Sequence, residues 1–178
     1  MEKKFDFRML EVADTTQILQ LRNAIWDALE DKTLFAQSSD FCISESLKNG
    51  FGFGVWQENK LVACIICRCQ NGEYAELLQY SGQQKEKAVE LEDVFVNQQH
   101  RGQGLQKYLI QQAETYARKI DKSIILATVS PQNLFSIRNF ENMGYDVVKS
   151  CMIYENLERY ILQKRLDIPK NDNDIKEN

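Results

Sequence analysis

The chain has 178 residues, a formal net charge of −4 and a single histidine, His100, so one domain with a self-sufficient core is expected. One histidine argues against zinc fingers, three-histidine zinc sites and H-E-x-x-H helices, and the acidic balance argues against a nucleic-acid surface; we expect no metal and no nucleic-acid partner. No window reaches 18 apolar residues, and no apolar run follows the N-terminal charges, so neither a membrane span nor a signal peptide is expected.

The first half of the chain predicts a strand, two helices and a β-hairpin. Apolar residues at helical spacing follow the cap candidate Asp14, and alternation with turn residues marks the other elements. The elements are a strand over 5–10, a helix presenting Ile18, Leu21, Ile25 and Leu29, a short helix over 39–48, and a hairpin of 53–56 with 61–69. Residues 71–88 are ambiguous, and 74–80 within them are compatible with a helix.

The cysteines have two interpretations. Cys64 and Cys67 form a C-x-x-C pair, but the two isoleucines between them place the pair in an apolar strand. A redox pair prefers an exposed helix N-terminus, so this alternative is the weaker one. We interpret the five cysteines as buried thiols of a reducing compartment and expect a cytoplasmic protein.

The second half of the chain alternates strands and helices. The strands are expected over 91–96, 124–129, 145–149 and 159–166, with a helix presenting Leu105, Leu109, Ala113, Ala117 and Ile120 and another helix ended by Gly144. This order predicts an α/β fold with a mixed sheet and helices on both faces. Residues 1–166 are expected to form one domain, and residues 167–178 a polar, disordered tail.

A turn with two glycines joins the 91–96 strand to the long helix. Gln99, Gly102 and Gly104 spell Q-x-x-G-x-G, with Arg101 as a nearby cation. Such a turn directs backbone N–H groups and the positive end of the helix dipole at one point, which suits a phosphate, and glycine lets a ligand approach the backbone. Lys107 replaces the third glycine of a dinucleotide-binding turn, and no Gly-Lys-Ser/Thr of a P-loop is present.

Together with the segment after it, this turn resembles the GNAT superfamily of CoA-dependent N-acetyltransferases. The family motif R/Q-x-x-G-x-G/A follows a strand such as 94–96, and a second block follows here in the expected order: Asn133, Ser136, Phe140 and Gly144-Tyr145. The resemblance covers residues 5–166. It implies a mostly antiparallel sheet whose fourth and fifth strands splay apart around acyl-CoA.

The resemblance also implies which residues bind acetyl-CoA as the cosubstrate. The main chain around Val94, Phe95 and Val96 would hold the pantetheine arm. The N–H groups of Arg101, Gly102, Gln103, Gly104, Leu105 and Gln106 would hold the pyrophosphate. Asn133 and Ser136 would contribute from the next helix, and Phe140 would pack against the pantetheine. Asn133 also suits a helix cap, and both roles are compatible.

Acetyl transfer to an amine needs a base, because a lysine-like amine has a pKa near ~10.4. Glu92 and Glu90 are the candidates: by strand alternation they share a face with Val94, and many family members place a carboxylate there, acting directly or through water. The same alternation predicts that Asp93 points to the opposite face. A backbone N–H such as that of Val94 would polarise the thioester carbonyl. His100 lies beside the turn, too far along the chain to act as the base.

Phe140 departs from the family pattern. The family usually has Tyr there, as the acid that protonates the CoA sulfur, and Phe has no proton to donate. Tyr145, Tyr154, Ser136 and water are candidate replacements. A thiol with a pKa near ~8.5 also leaves tolerably as a thiolate, so the departure weakens the mechanism without excluding it.

The leading hypothesis is an N-acetyltransferase that acts on a primary amine of a small molecule, peptide or protein. The alternative is a non-catalytic acyl-CoA-binding sensor or interaction module, which Phe140 favours and the two glutamates oppose. Residues 31–49, 71–88 and the strands around Tyr154 and Arg159 would select the acceptor. The acids near Glu90 hint at a cationic acceptor. Family members often pair through their final strands, so a homodimer stays open.

Overall fold

The computed structural model describes residues 5–69, 85–154 and 156–167. The strands in these ranges are β1 (Asp6–Met9), β2 (Gly50–Gln57), β3 (Lys60–Arg68), β4 (Ala88–Val96), β5 (Ile124–Val129), β6 (Asp146–Ile153) and β7 (Leu157–Arg165). The α-helices in the same ranges are α1 (Thr15–Ala28), α2 (Asp40–Asn49), α3 (Leu105–Lys119) and α4 (Leu134–Glu141). None of these helices has the length and apolar character needed to cross a bilayer.

The seven strands form one sheet in the order β1-β2-β3-β4-β5-β7-β6. Neighbouring strands are antiparallel, except that β4 and β5 are parallel. Parallel neighbours need a crossover, and α3 lies in the connection between them. The predicted α/β fold, with a mixed and mostly antiparallel sheet, is confirmed.

Helices cover both faces of this sheet. On the first face, which we call the α3 face, Leu109 and Ala113 of α3 pack against Ile65 and Leu91. On the second face, the α1/α2 face, the helices α1 and α2 pack their apolar residues against residues of β3 and β4; these residues include Ile18, Ile43, Cys64, Ile66 and Phe95. Since β3 is covered on both sides, its buried run is continuous rather than alternating. Each fully buried aliphatic side chain of this kind contributes about 1.5–3 kcal/mol.

Most predicted elements are present with small shifts at their ends. Asp14 does occupy the N-cap position of α1, but its side chain does not cap the helix. The carboxylate instead accepts two hydrogen bonds from the Arg8 guanidinium, at 2.7 and 2.8 Å, and one from the Glu11 backbone N–H. The possible helix over 74–80 and the tail from 168 onward lie outside the described residues.

The cysteine pair of β3 is divided by the sheet. Cys64 belongs to the core on the α1/α2 face, and Cys67 belongs to the core on the α3 face. Both side chains are fully buried, and burial raises the pKa of each thiol well above its usual value. The interpretation as buried thiols is confirmed for Cys64 and Cys67, whose side chains lie on opposite faces and do not form a redox pair, whereas Cys42, Cys69 and Cys151 are only partly buried.

Candidate active site

The sheet opens between β4 and β5. The two strands pair only over Ala88–Leu91 and Ile124–Ala127, after which β4 continues to Val96 and β5 to Val129. Beyond the last pair, the edge of β4 that faces β5 presents backbone N–H and C=O groups that β5 does not satisfy. This is the splay between the fourth and fifth strands that the resemblance implies.

A cleft of about 710 Å³ extends from the opening across the sheet. Its volume falls within the range of small-molecule sites. Seven of the sequence-predicted residues line it: Glu90, Glu92, Val94, Gln106, Asn133, Ser136 and Phe140. The other predicted residues, Phe95, Val96 and 101–105, lie outside the lining. Phe95 is buried in the core on the α1/α2 face, and Val96 packs on the α3 face.

The two-glycine turn leads into the N-terminus of α3. Gly102 and Gly104 have φ values of +74° and +75°, and a Cβ at either would have no atom within 4 Å. Glycine is therefore required there by the left-handed backbone, and not by crowding. The space above the turn is open to a ligand.

The first N–H groups of α3 are available for such a ligand. Gly104 is the N-cap and has no side chain to cap the helix. Within the described ranges, the backbone N–H groups of residues 104–107 make no hydrogen bond, and the first bond of the helix runs from the Tyr108 N–H to the Gly104 carbonyl at 3.0 Å. The Arg101 N–H, in contrast, donates to the Gln98 carbonyl at 3.3 Å inside the turn. The predicted anion site thus centres on 104–107, at the positive end of the helix dipole.

The N-terminus of α4 lies beside that of α3. Asn133 caps α4, because its side-chain oxygen accepts the Ser136 backbone N–H at 3.1 Å. Gln106 Nε2 lies 3.5 Å from the Ser136 hydroxyl oxygen, and Gln106 Oε1 accepts from Asn139 Nδ2 at 2.7 Å. These contacts tie the two helix ends together next to the opening.

A β-bulge in β4 changes which face its acidic residues occupy. Ile66 pairs with Asp93 and Cys67 pairs with Leu91, so Glu92 is an extra residue that the backbone register with β3 skips. Asp93 consequently lies on the α1/α2 face together with Glu90 and Glu92. Two predicted placements are wrong, because simple alternation does not account for the extra residue: Asp93 shares the face of the two glutamates, and Val94 packs on the opposite, α3 face.

Asp93 is the carboxylate of the cleft that is best suited to accept a proton. It is 3% exposed, and its Oδ2 is buried with no hydrogen-bond partner in the described part of the chain. Burial, and then the charge of Glu92, raise the pKa of Asp93 to about 7. The Ser38 hydroxyl, Arg22 and Arg68 act in the opposite direction and only partly offset this rise. A carboxylate that titrates near neutral pH is matched to proton transfer.

The neighbouring Glu92 is engaged in structural contacts. Its carboxylate accepts hydrogen bonds from the Arg68 guanidinium and the Ser46 hydroxyl, which joins β4 to β3 and α2. Arg68 also donates to the Ser46 oxygen, at 3.2 and 3.3 Å. Glu90 is 4% exposed and lines the same cleft. The sequence-predicted acids are therefore brought together, but Glu92 serves as an anchor.

The chain matches the family model described as "Acetyltransferase (GNAT) family" over residues 15–145, which is well over half of its length. The chain belongs to the GNAT acetyltransferase family. Its fold supports acetyl-CoA-dependent acetyl transfer in general.

Solved structures with the same fold are similar over nearly the whole chain. The ribosomal-protein-S18-alanine N-acetyltransferase of Escherichia coli superposes with a TM-score of 0.71 at 14% identity, covering 95% of this chain and 98% of that one. The protein yncA of Salmonella typhimurium, solved with its cofactor acetyl-CoA, gives 0.69 at 18% identity, covering 92% and 95%. A GNAT acetyltransferase of Streptococcus pneumoniae gives 0.70 at 13% identity, covering 92% and 100%. At these identities the likeness shows the fold alone. No sequence among curated proteins matches the chain.

The position of the usual GNAT acid is filled by a packed ring. Phe140 is 3% exposed, and its ring contacts Tyr145 edge-on with centroids 5.0 Å apart. Tyr145 is not its replacement, because its hydroxyl donates to Glu114 at 3.0 Å beneath α3 and it does not line the cleft. Burial and the Glu114 charge raise the pKa of Tyr145 further. Of the remaining candidates, Tyr154 and Ser136 line the cleft.

His100 lies outside the cleft. The His100 ring is buried outside the lining, with Nε2 2.8 Å from Gln57 Oε1, as expected for a residue beside the turn. In the ranges that the structure describes, no group of three or more His, Cys, Asp or Glu side chains is arranged to hold a metal ion.

The sequence predicts that the strand around Arg159 helps to select the acceptor, but it assigns this arginine no role of its own. Arg159 on β7 lines the cleft and is 3% exposed. It donates to the backbone carbonyls of Thr33 and Glu158, each at 2.8 Å. A lone arginine in a polar strand carries no motif, so its burial in the cleft becomes evident only from the tertiary fold.

Proposed function

We propose that this protein is an N-acetyltransferase that transfers the acetyl group of acetyl-CoA to a primary amine. The observation that carries the proposal is the position of Asp93. This buried carboxylate, with a pKa of about 7, lines the cleft into which the opening between β4 and β5 leads.

The residues around the opening suit acetyl-CoA. The backbone N–H groups of 104–107 and the helix dipole of α3 would hold the pyrophosphate, since the space above Gly102 and Gly104 is open. The edge of β4 that β5 leaves unpaired would accept the pantetheine amides in a strand-like manner. Asn133, Ser136 and Phe140 would complete the wall on the α4 side.

Asp93 would take the proton that the reaction releases. Acetyl-CoA supplies an activated acetyl group, and the amine nitrogen forms a bond to the carbonyl carbon as the carbon–sulfur bond breaks. Asp93 accepts the amine proton, directly or through water, the sulfur leaves with the electron pair, and the same proton then passes from Asp93 to the thiolate through water, which restores the carboxylate. Amine and thioester thereby become amide and thiol with no atom or charge left over.

The alternative function is an acyl-CoA-binding module without catalysis. The observation in its favour is Phe140, which fills the acid position with a ring that has no proton to donate. A thiol with a pKa near ~8.5 is a tolerable leaving group without an acid. Asp93 has no structural partner for Oδ2 among the described residues, and a binding module has no use for such a group.

Thiol release measured against a panel of primary amines tests the proposal. We expect acetyl-CoA to bind at one site per chain and thiol to appear only when an amine is present. Asp93→Asn should reduce this release, while Asp146→Asn, the same change at an exposed position on β6, should not. Binding of acetyl-CoA with no release for any amine would support the non-catalytic module. Absence of binding would contradict both functions.

A further inference from the structure

Arg159 is a buried cation that no acidic side chain neutralises in the described residues. It forms no ion pair there, and its two hydrogen bonds go to the backbone carbonyls of Thr33 and Glu158. A guanidinium has five N–H groups, so donors remain for another partner. Burial lowers the pKa of Arg159, and the neighbouring Tyr154 acts in the opposite direction.

Two other arginines near the cleft, Arg22 and Arg68, do have carboxylate partners. Arg22 is also buried, at 6% exposed, but it pairs with Asp40 at 2.7 Å. Arg68 pairs with Glu92. Taking a charge out of water without a counter-charge is unfavourable by several kcal/mol, so an arginine that serves only the fold is expected to have a carboxylate partner.

Arg159 shares the cleft with Asp93 but sits across the sheet from it. Ile161, two residues along β7, packs with Leu126 on the face opposite α3, so Arg159 lies on the α1/α2 face. β7 and β4 are separated by β5, which places them about 10 Å apart at the closest, from the usual strand spacing. Of residues 104–107, whose N–H groups are proposed to hold the pyrophosphate, only Gln106 lines this cleft, whereas Arg159 lines it from β7.

We propose that the acceptor amine also carries a carboxylate, and that Arg159 binds this carboxylate while the amine lies near Asp93. The inference rests on the proposed acetyl transfer and names the class of acceptor: an amino carboxylate. The planar guanidinium matches a carboxylate better than any other side chain does, because it offers parallel N–H donors. An acceptor of this class has one group of opposite charge for Asp93 and one for Arg159.

Matched pairs of acceptors test the charge requirement. The full-length protein is assayed for thiol release with acetyl-CoA and L-amino acids, each beside its carboxamide, and with γ-aminobutyrate for a longer spacing. We expect the best carboxylate to exceed its carboxamide in kcat/KM by about 10- to 100-fold. Equal or better turnover of the carboxamides would overturn the inference and leave the acetyltransferase function intact. Preference for phosphoethanolamine over every carboxylate would overturn it too.

Arginine variants test the residue. Arg159→Gln should raise KM for the carboxylate by about 10- to 100-fold and leave KM for the carboxamide and for acetyl-CoA unchanged. Arg159→Lys, which keeps the charge but loses the fork, should recover part of the affinity. Arg165→Gln, at an exposed position of the same strand, is the matched control. An equal loss for carboxylate and carboxamide would mean that Arg159 acts only through its hydrogen bond to the Thr33 carbonyl.

Binding without turnover separates failure of this inference from failure of the proposed function. Calorimetry of the CoA-loaded protein with the same amino acids reports recognition even where no acetyl group is transferred. Carboxylate binding that Arg159→Gln abolishes supports the inference in the absence of catalysis. No binding of any carboxylate, alongside turnover of neutral amines, overturns it while confirming the transferase.

Discussion

Replacing Asp93 by Asn removes the proton acceptor at nearly constant side-chain volume. A positioned general base contributes about 10²- to 10⁴-fold, so kcat should fall by that factor. Only the ionised carboxylate accepts a proton, and the pKa of Asp93 is about 7. The kcat/KM of the wild-type protein should therefore rise with pH through about 7, and the variant should lack this rise.

The same substitution should make the protein more stable above neutral pH. The pKa of Asp93 is raised from 3.8 to about 7 in the folded state, so the folded protein holds this proton more tightly than the unfolded chain. As pH rises between these two values, the unfolded chain releases the proton while the folded protein still holds it. The free energy of the unfolded state therefore falls relative to that of the folded state, and folding stability decreases. The pKa is raised by about three units, and each unit corresponds to about 1.36 kcal/mol. The wild-type protein therefore loses up to about 4 kcal/mol of unfolding free energy by a pH above about 7, and the Asn variant does not. Below a pH of about 4 the difference between the two proteins should disappear.

Urea unfolding at a pH of about 8 and of about 4 measures this effect, with Asp146→Asn as the exposed control. A variant that loses both activity and stability at the higher pH would show that Asp93 supports the fold. Activity within about threefold of wild type, or a rise through pH 7 that persists, would refute its role as the base. Glu92→Gln is a further check: it removes the charge that raises the Asp93 pKa and releases Arg68, so the rise should move to lower pH.

Three further predictions concern the turn, the core beneath α3 and the thiols. Gly104→Val should weaken acetyl-CoA binding measured by calorimetry, because a β-branched residue resists φ of +75°, whereas Gly104→Asn should weaken it much less; equal losses would contradict a conformational cause. Glu114→Ala should lower the unfolding free energy in urea by about 3 kcal/mol with acetyl-CoA affinity unchanged, since it leaves the Tyr145 hydroxyl and Lys164 without their acceptor; a loss below about 1 kcal/mol would contradict this. Cys64 and Cys67 should react with a thiol reagent only after unfolding, as mass spectrometry of labelled peptides would show, and rapid labelling in the native protein would contradict their burial.

The fold was accessible from sequence because its signals are local. The apolar residues of α3 recur at the spacing of a helix, and β5 is a continuous apolar run. Gly102 and Gly104 mark the turn between strand and helix. Each of these patterns depends on residues close together in the chain. The resemblance then supplied what periodicity does not, namely the mostly antiparallel pairing of the strands and the place where they splay.

The acids of β4 were less accessible because their orientation depends on a non-local feature. Strand alternation assigns Asp93 to the face opposite Glu92, and no residue in Glu90-Leu91-Glu92-Asp93 signals a bulge. The extra residue arises from pairing with β3, where Ile66 and Cys67 lie opposite Asp93 and Leu91. The pairing of Glu92 with Arg68, some twenty residues earlier, is likewise a product of tertiary structure.

The bulge also separates two carboxylates that are adjacent in sequence into different roles. Glu92 is neutralised by Arg68 and anchors β4, whereas Asp93 is left buried without a partner for Oδ2 among the described residues. Arg159, on another strand of the same cleft, is a buried positive charge that forms no ion pair among the described residues. Charges that serve only the fold are expected to be paired within the protein, as Glu92 and Arg68 are. An amino carboxylate supplies the missing partner to each of them, so its binding should stabilise the folded protein by RT ln(1 + [L]/Kd), about 2.7 kcal/mol at a hundredfold excess over Kd. A melting temperature that rises with an amino carboxylate, and does not rise with its carboxamide, would indicate that one ligand binds both Asp93 and Arg159.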